Sequence, residues 1–206
     1  MKLRESGMPE ETYWESLFQI ELILDRLGID GGLRDVAELG CGYGTFTLPV
    51  ARRLCGTIET FDIDPAMVER TRGRAEEGGL GNVRAQVRDV LQEGFGLPLG
   101  SQDACLLFNI LHGEEPLRLL QEARRVVRPG GRVFVIHWRY DPGTPRGPSM
   151  DIRPRPEQCL AWGKSVGLRP LPPAPLDLPP YHFGLVFRKL AIDARASQES
   201  QRSRLE

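Results

Sequence analysis

The chain has 206 residues, enough for one domain with a full hydrophobic core, and 40% of them are hydrophobic. Lysine plus arginine number 27 against 28 acids, a net charge near −1, which speaks against a polyanionic or polycationic partner. The four cysteines (Cys41, Cys55, Cys105 and Cys159) are scattered without a C-x-x-C pair, which excludes a zinc site or disulfide framework and predicts reduced thiols.

The opening residues lack the apolar block of a secretion signal, and nowhere do 18 apolar residues run together. A cytoplasmic protein with no membrane contact is expected. Pro9-Glu10-Glu11 predicts a helix running to about Leu27, with Tyr13, Leu17, Ile20, Leu24 and Leu27 on one face and Gly28 as its stop. Residues 1–33 thus read as an N-terminal helical cap. Val36-Ala37-Glu38-Leu39 then predicts a strand, and Gly40-Cys41-Gly42-Tyr43-Gly44 a tight turn into a helix through Leu54. Glycines at alternate positions let a ligand lie against bare backbone, and the helix start offers unpaired N–H groups. Cys41 fits this turn because a small side chain is needed there.

Thr57 to Phe61 predicts a second strand ending in Asp62, after which Asp64 caps a helix that opens on Pro65. Asn82 to Arg88 alternates as a third strand, followed by Asp89. Asp103 to Phe108 is a continuous apolar run, the mark of a central strand buried on both faces, and it closes with Asn109-Ile110-Leu111-His112. A helix from about Pro116 to Val127 meets the stop signal Arg128-Pro129-Gly130-Gly131. Arg132 to Ile136 predicts a fifth strand ending at His137-Trp138. Strand and helix alternate throughout, the pattern of a parallel sheet covered on both faces.

Beyond Trp138 the character changes. Residues 140–156 carry prolines, glycines and Arg146, Arg153 and Arg155, and predict a long loop before a helix over 156–166. Prolines recur so often in 167–180 that only an edge strand accommodates them. Tyr181 to Phe187 is a better last strand, and 191–206 predicts a disordered tail after a domain spanning 34–190.

The pattern is G-x-G-x-G behind an acidic residue. The dinucleotide fingerprint places its third glycine one residue later, where Thr45 stands. Together with Asp62, Asp89 and Asn109 at successive strand ends, the turn resembles the motifs of class I S-adenosylmethionine (SAM)-dependent methyltransferases over residues 34–138. Val127-Arg128-Pro129-Gly130-Gly131-Arg132 resembles the family too, with valine for its usual leucine. Thr144 to Pro148 and Leu178 to Gly184 resemble a bacterial branch of small-molecule methyltransferases. The resemblance implies a three-layer α/β fold, Rossmann-like, with a seven-stranded sheet ordered 3-2-1-4-5-7-6 and only the last strand antiparallel.

The resemblance also implies a cofactor, SAM, and residue roles. Gly40, Cys41, Gly42 and Gly44 would wrap the methionine moiety. Asp62 would accept from both ribose hydroxyls, Ile63 would press the adenine face, and Asp89, with Val90 behind it, would receive the adenine amino group. Glu38 would help position the turn and the ligand ammonium, and Asn109 would touch the methionine end. Methyl transfer is an in-line displacement that positioning can drive, but a protonated O- or N-nucleophile also needs a base. His112 and His137 end adjacent strands and are the candidates, each competing with a neutral structural role. Asp89 competes with a helix-cap role and Asn109 with a turn role.

Tyr13, in the cap, and Arg146, between prolines, are the expected acceptor contacts, and a guanidinium there suits an anionic acceptor. Tyr181 and His182 are expected at the rim opposite SAM. The expected partner is a small molecule rather than nucleic acid, for lack of a basic stripe with aromatic platforms. The protein is expected to be a monomer or homodimer and to need no metal. A SAM-binding sensor or scaffold without catalysis is the alternative; it would leave the loop after Trp138 open, whereas an enzyme would fold it over its acceptor.

Overall fold

A computed structural model describes residues 8–191. The elements in chain order are α1 (Glu11–Ser16), α2 (Ile20–Leu27), β1 (Val36–Leu39), α3 (Thr47–Arg53), β2 (Ile58–Asp62), α4 (Pro65–Glu77), β3 (Val83–Val87) and α5 (Val90–Glu93). They continue with β4 (Gln102–Phe108), α6 (Pro116–Val126), β5 (Val127–Trp138), α7 (Pro156–Ser165), β6 (Leu168–Pro170), β7 (Leu176–Leu178) and β8 (His182–Lys189). The sheet order is β3-β2-β1-β4-β5-β8-β6, with β7 also paired to β8. The first five strands are parallel and β8 runs against β5. This is the expected order with one strand more.

The additional strand has a local cause. β6 pairs with one half of β8 (Leu168 opposite Lys189) and β7 with the other (Leu178 opposite His182), both antiparallel. They are one edge strand interrupted by Pro172-Pro173-Ala174-Pro175, where prolines cannot donate to the ladder. A similar irregularity sits in β5. Gln102 pairs with Val127 and Ala104 with Arg132, so residues 128–131 bulge out of register and Gly130 takes φ 80°. The predicted Arg-Pro-Gly-Gly turn is therefore a bulge within the strand rather than a boundary before it.

The single predicted cap helix is two helices. Backbone N–H groups of Leu17 and Phe18 bond back to Trp14 and Glu15 at short range, and α2 restarts at Ile20. The break tucks Leu17 and Phe18 into the core at 3% and 7% exposure, which one straight helix through Tyr13 would not do, and Tyr13 itself is 42% exposed. The tail expected to be disordered lies, from residue 192, outside the described residues, as do residues 1–7.

Alternation along the buried strands splits the core into two layers. Ala104, Leu106, Phe108, Phe134, Ile136 and Trp138 face α1–α3, and Cys105, Leu107, Val133 and Val135 face α6 and α7. Each fully buried leucine or phenylalanine contributes roughly 1.5–3 kcal/mol. Among the described residues no helix is long and apolar enough to cross a membrane.

Two glycines test this packing in opposite directions. A Cβ on Gly163, in α7, would stand 2.3 Å from Phe187 Cε1, whereas one on Gly73, inside α4, meets nothing within 4 Å. Gly163→Ala should cost about 1–3 kcal/mol by overpacking. Gly73→Ala should add roughly 0.5–1 kcal/mol by relieving helix entropy. Urea denaturation of the two variants checks both signs.

Candidate active site

The site is built where β1, β2, β4 and β5 end. Gly40, Gly42 and Gly44 all have left-handed backbones (φ 85°, 51° and 78°), so the turn needs glycine at each of the three positions. Space enforces the same choice. A Cβ on Gly44 would crowd Leu48 and Thr71 at 3.3 Å, and one on Gly42 would lie 3.2 Å from Met8 Cε. Thr71 Oγ1 donates to Gly42 O (2.9 Å) and Arg74 Nη1 to Tyr43 O (2.8 Å), so α4 fastens the turn from the side.

Asp62 clasps the turn from β2. Its Oδ2 accepts from the Gly42 N–H at 3.0 Å and its Oδ1 from the Asp64 N–H at 3.0 Å. Burial raises its pKa, while the Asp64 and Gly42 N–H groups oppose that rise. Oδ2 also takes the weak Cys41 thiol contact, while Oδ1 can accept beyond the Asp64 bond, so the carboxylate keeps acceptor capacity. Ile63, next in sequence, exposes 37% of its surface. Asp89 caps α5 by accepting from the Gln92 N–H at 3.2 Å, and Val90 is buried behind it.

Glu38 lies inside, 2% exposed, and its Oε2 accepts from Thr47 Oγ1 (2.6 Å) and Thr60 Oγ1 (2.7 Å). Thr60 is its register partner on β2, so strand pairing delivers that bond. Burial pushes the Glu38 carboxyl up to about 7; the two threonines oppose the rise and neighbouring Asp62 adds to it. Cys41 is buried and its Sγ lies 3.9 Å from Asp62 Oδ2; burial first, and then Asp62, push its thiol far up, away from thiolate chemistry.

Asn109 ends β4 with φ 55°, the one non-glycine among the described residues with positive φ. Its N–H bonds Ile136 O at 2.8 Å, and its buried Oδ1 has no partner among the described residues. A strained residue with an orphaned acceptor at a strand end is the kind of feature that functional sites retain. Ile110 follows and lies 3.6 Å from where a Gly40 Cβ would stand.

Helix α1 lies along the turn. Tyr43 donates its hydroxyl to Pro9 O (2.7 Å), Arg70 grips Glu11 with two bonds (2.8 and 3.0 Å), and Arg74 bonds Glu15 (2.7 Å). None of its residues is buried. Exposed ion pairs of this kind contribute about 0–1 kcal/mol each, so α1 is a lightly held cover.

All three histidines gather at this rim. His137, on β5, is wholly buried with both ring nitrogens unpartnered among the described residues. His112 packs edge-on against it, 5.5 Å between centroids, with a buried, unpartnered Nδ1. His137 thus stands behind His112, and of the two it is His112 that lines a cavity. His182 begins β8 opposite Trp138 and stacks on Phe18 at 4.5 Å, with Trp138 at 4.3 Å on its other contact. The expectation that Tyr181 and His182 lie at the opposite rim is wrong. A strand antiparallel to β5 begins where β5 ends, so its first residues belong to the same rim as the glycine turn.

Burial first and then the Arg153 charge lower His112 to about 4. Burial, Arg139 and Arg153 bring His182 to about 3, and burial and His112 hold His137 well below the ordinary value. Arg153 itself is 7% exposed and organises the loop after β5. Its guanidinium donates to the carbonyls of Arg139, Asp141, Arg146 and Pro148 and to Thr144 Oγ1, the last at 2.6 Å. The loop is closed around this arginine, which sequence reasoning treats only as a contributor to the local field. Arg146 is half-buried, with its carbonyl accepting from Arg153 and Thr144. The signal for Arg153 was available only in hindsight of burial, since an arginine among prolines reads as solvated.

The closed loop, the β4–α6 loop and α7 surround a cavity of about 400 Å³. A second, of about 470 Å³, lies between α5 and α6, with Val90 in its lining.

Comparison with known proteins matches this geometry. Residues 36–131 fit the family model described as a methyltransferase domain. An uncharacterized 37.1 kDa protein of transposon TN4556 from Streptomyces fradiae is 33% identical over 161 residues, covering 72% of this chain and 45% of that one. Aklanonic acid methyltransferase DauC of a Streptomyces species is 30% identical over 112 residues, covering 53% and 50%. This chain therefore spans about half the length of these relatives.

Among solved structures, a SAM-dependent methyltransferase from Aquifex aeolicus superposes with TM-score 0.76 at 22% identity, covering 88% of this chain and 94% of that one. The [4+2]-cyclase SpnF superposes at 0.72 and 20% identity, covering 92% and 86%. Residues 36–131 thus match a methyltransferase domain, and the fold is that of the SAM-dependent methyltransferases of known structure.

The histidines predict a pH dependence of stability. Above about 6.5 folded and unfolded chains both hold them neutral. As pH falls from there to about 4 for His112, and on to about 3 for His182, only the unfolded chain takes up protons, so stability falls with acidification. Urea denaturation between pH 7 and 4 should show the decline. His182→Phe, which keeps the ring stack, should flatten it; an unchanged slope would show that His182 is not held neutral by the fold.

Proposed function

We propose that this protein transfers a methyl group from SAM to a small-molecule acceptor by in-line displacement. The observation that carries the reading is the Asp62 clasp on a turn of three left-handed glycines at the C-terminal ends of parallel strands, where open α/β sheets take ligands. The residues suit SAM. Asp62 keeps acceptor capacity for the two ribose hydroxyls, Ile63 offers an apolar surface to adenine, and the orphaned Asn109 Oδ1 suits the methionine ammonium. Asp89, which caps α5, would face the adenine amino group, with Val90 as apolar floor. Glu38 supplies negative charge beneath the turn. When bound, SAM supplies an electrophilic methyl on a good leaving group, so the chain's task is placement and exclusion of water.

His112 is the proton acceptor in this reading, with His137 behind it as a packing partner that positions its ring. Burial lowers His112, so it is a weak base, better matched to an acceptor group that ionises readily than to an ordinary alcohol. Tyr13 and Arg146, the acceptor contacts implied by sequence, keep that role here only as proposals. An acceptor of small-molecule type is supported by the aklanonic acid methyltransferase among the relatives. The closed loop after Trp138 favours catalysis over the sensor or scaffold alternative. SpnF, whose fold is the same and whose named reaction is a cycloaddition, is the reason that activity must be tested and not read from fold.

Two measurements test the reading. Asp62→Asn should weaken SAM by about 1.5–3 kcal/mol, tenfold or more, with the fold intact. Glu38, near 7 in the free protein, should ionise further when a ligand ammonium arrives, so binding at pH 7 should release a fraction of a proton. Calorimetry in buffers of different ionisation enthalpy reads that release, and Glu38→Gln should abolish it. Proton uptake, or undiminished SAM affinity in Asp62→Asn, would contradict the assignment.

A further inference from the structure

The 400 Å³ cavity lies next to the glycine turn through a single short loop. Ile110 abuts Gly40, and His112, two residues on, forms part of the cavity wall. Its size suits a small organic ligand. The wall also carries Tyr140, Arg153, Arg155, Gln158 and Trp162.

The charges on this wall are uneven in a useful way. About half of the described arginines pair with carboxylates, for example Arg70 with Glu11 and Arg125 with Glu122. Neither Arg153 nor Arg155 has a carboxylate within ion-pair distance among the described residues. Glu114 and Asp151, the acids on the same wall, are not without partners.

Arg153 is spent on carbonyls. Arg155 is different: its guanidinium carbon stands 3.6 Å from the centroid of the Tyr140 ring. Stacking uses the flat face of a guanidinium and leaves its edge, where the N–H donors point, for a planar bidentate partner. The same Tyr140 ring and the half-buried Trp162 give the cavity flat aromatic surfaces. Gln158 Oε1 accepts from the Arg155 N–H at 2.8 Å and so keeps the start of α7 in place.

We propose that this cavity seats the acceptor, and that the acceptor is an aromatic or conjugated carboxylate with an acidic hydroxyl, its carboxylate on the edge of Arg155 and its hydroxyl toward His112. The inference rests on the methyltransferase reading for its reaction but not for its binding. In the transfer, the hydroxyl oxygen bonds to the methyl carbon, the electron pair of the C–S bond leaves with sulfur, and the hydroxyl proton passes to His112. Phenols and enols in conjugation with an acid supply both a flat anion for Arg155 and a hydroxyl for His112. Arg155, and not Arg146, lies on this wall, so the carboxylate is assigned to Arg155 and Arg146 stays a contact implied by sequence alone.

Calorimetry on the full chain with S-adenosylhomocysteine present tests it, with 4-hydroxybenzoate, 4-hydroxycinnamate and phenol as probes. At least one of the two acids should bind, and phenol should bind tenfold or more weakly. Arg155→Gln should weaken the acids tenfold or more and leave S-adenosylhomocysteine affinity within twofold, while Arg155→Lys should retain part of the acid binding. Arg155 is exposed, so these variants should fold. Acids that bind Arg155→Gln as well as wild type, phenol that binds as well as the acids, or no binding of either acid would overturn the proposal. If the acids bind through Arg155 but S-adenosylhomocysteine does not bind at all, the acid site stands and the methyltransferase reading fails.

Discussion

The hydrogen bond from the Gly42 N–H to Asp62 Oδ2 is the contact on which the site depends. A turn with three left-handed residues has little to stabilise it alone, because glycine loses more chain entropy on ordering than any other residue. The carboxylate ties the middle of that turn to the end of β2, and Thr71 and Arg74 hold its carbonyls from α4. The same carboxylate is thus part of the scaffold and, in the proposed function, part of the ligand site. Glu38 repeats the arrangement one layer deeper, held by a threonine from each neighbouring element.

Around this fixed half, the acceptor side is assembled from pieces distant in sequence. The reversal of β8 returns Tyr181 and His182 to the rim, and the break between α1 and α2 brings Phe18 onto His182. Arg153 draws the loop after β5 into a closed form by satisfying five of its oxygen acceptors. Burial, with the Arg153 charge adding to it, lowers His112 and His182, and the added positive charge favours a site for an anion over one for a cation. The structure therefore has a rigid cofactor edge and an acceptor side made of loops, the usual division between scaffold and specificity.

Much of the first half could be read from the chain. Glycine spacing, a carboxylate at each strand end and apolar runs are local signals, and they located β1 to β5 within a few residues. What was not legible depended on packing. Nothing local distinguishes a helix through Leu17 from two helices that bury Leu17 and Phe18, because the periodicity is nearly the same. The prolines announced an edge strand but not that it would be cut in two. The antiparallel direction of the last strand is legible in the sequence, but only the pairing of His182 with Trp138 shows that its start shares the rim where β5 ends. Arg153 and Arg155 look alike in sequence; only burial of one and stacking of the other on Tyr140 separate them.

The most direct measurement is a crystal structure of the protein with S-adenosylhomocysteine bound. The account predicts both ribose hydroxyls on Asp62, the Gly42 bond to the same carboxylate retained, and the amino-acid end between the glycine turn and Asn109. A ligand whose ribose lies away from Asp62, or a turn that must abandon its left-handed glycines to admit it, would contradict the account.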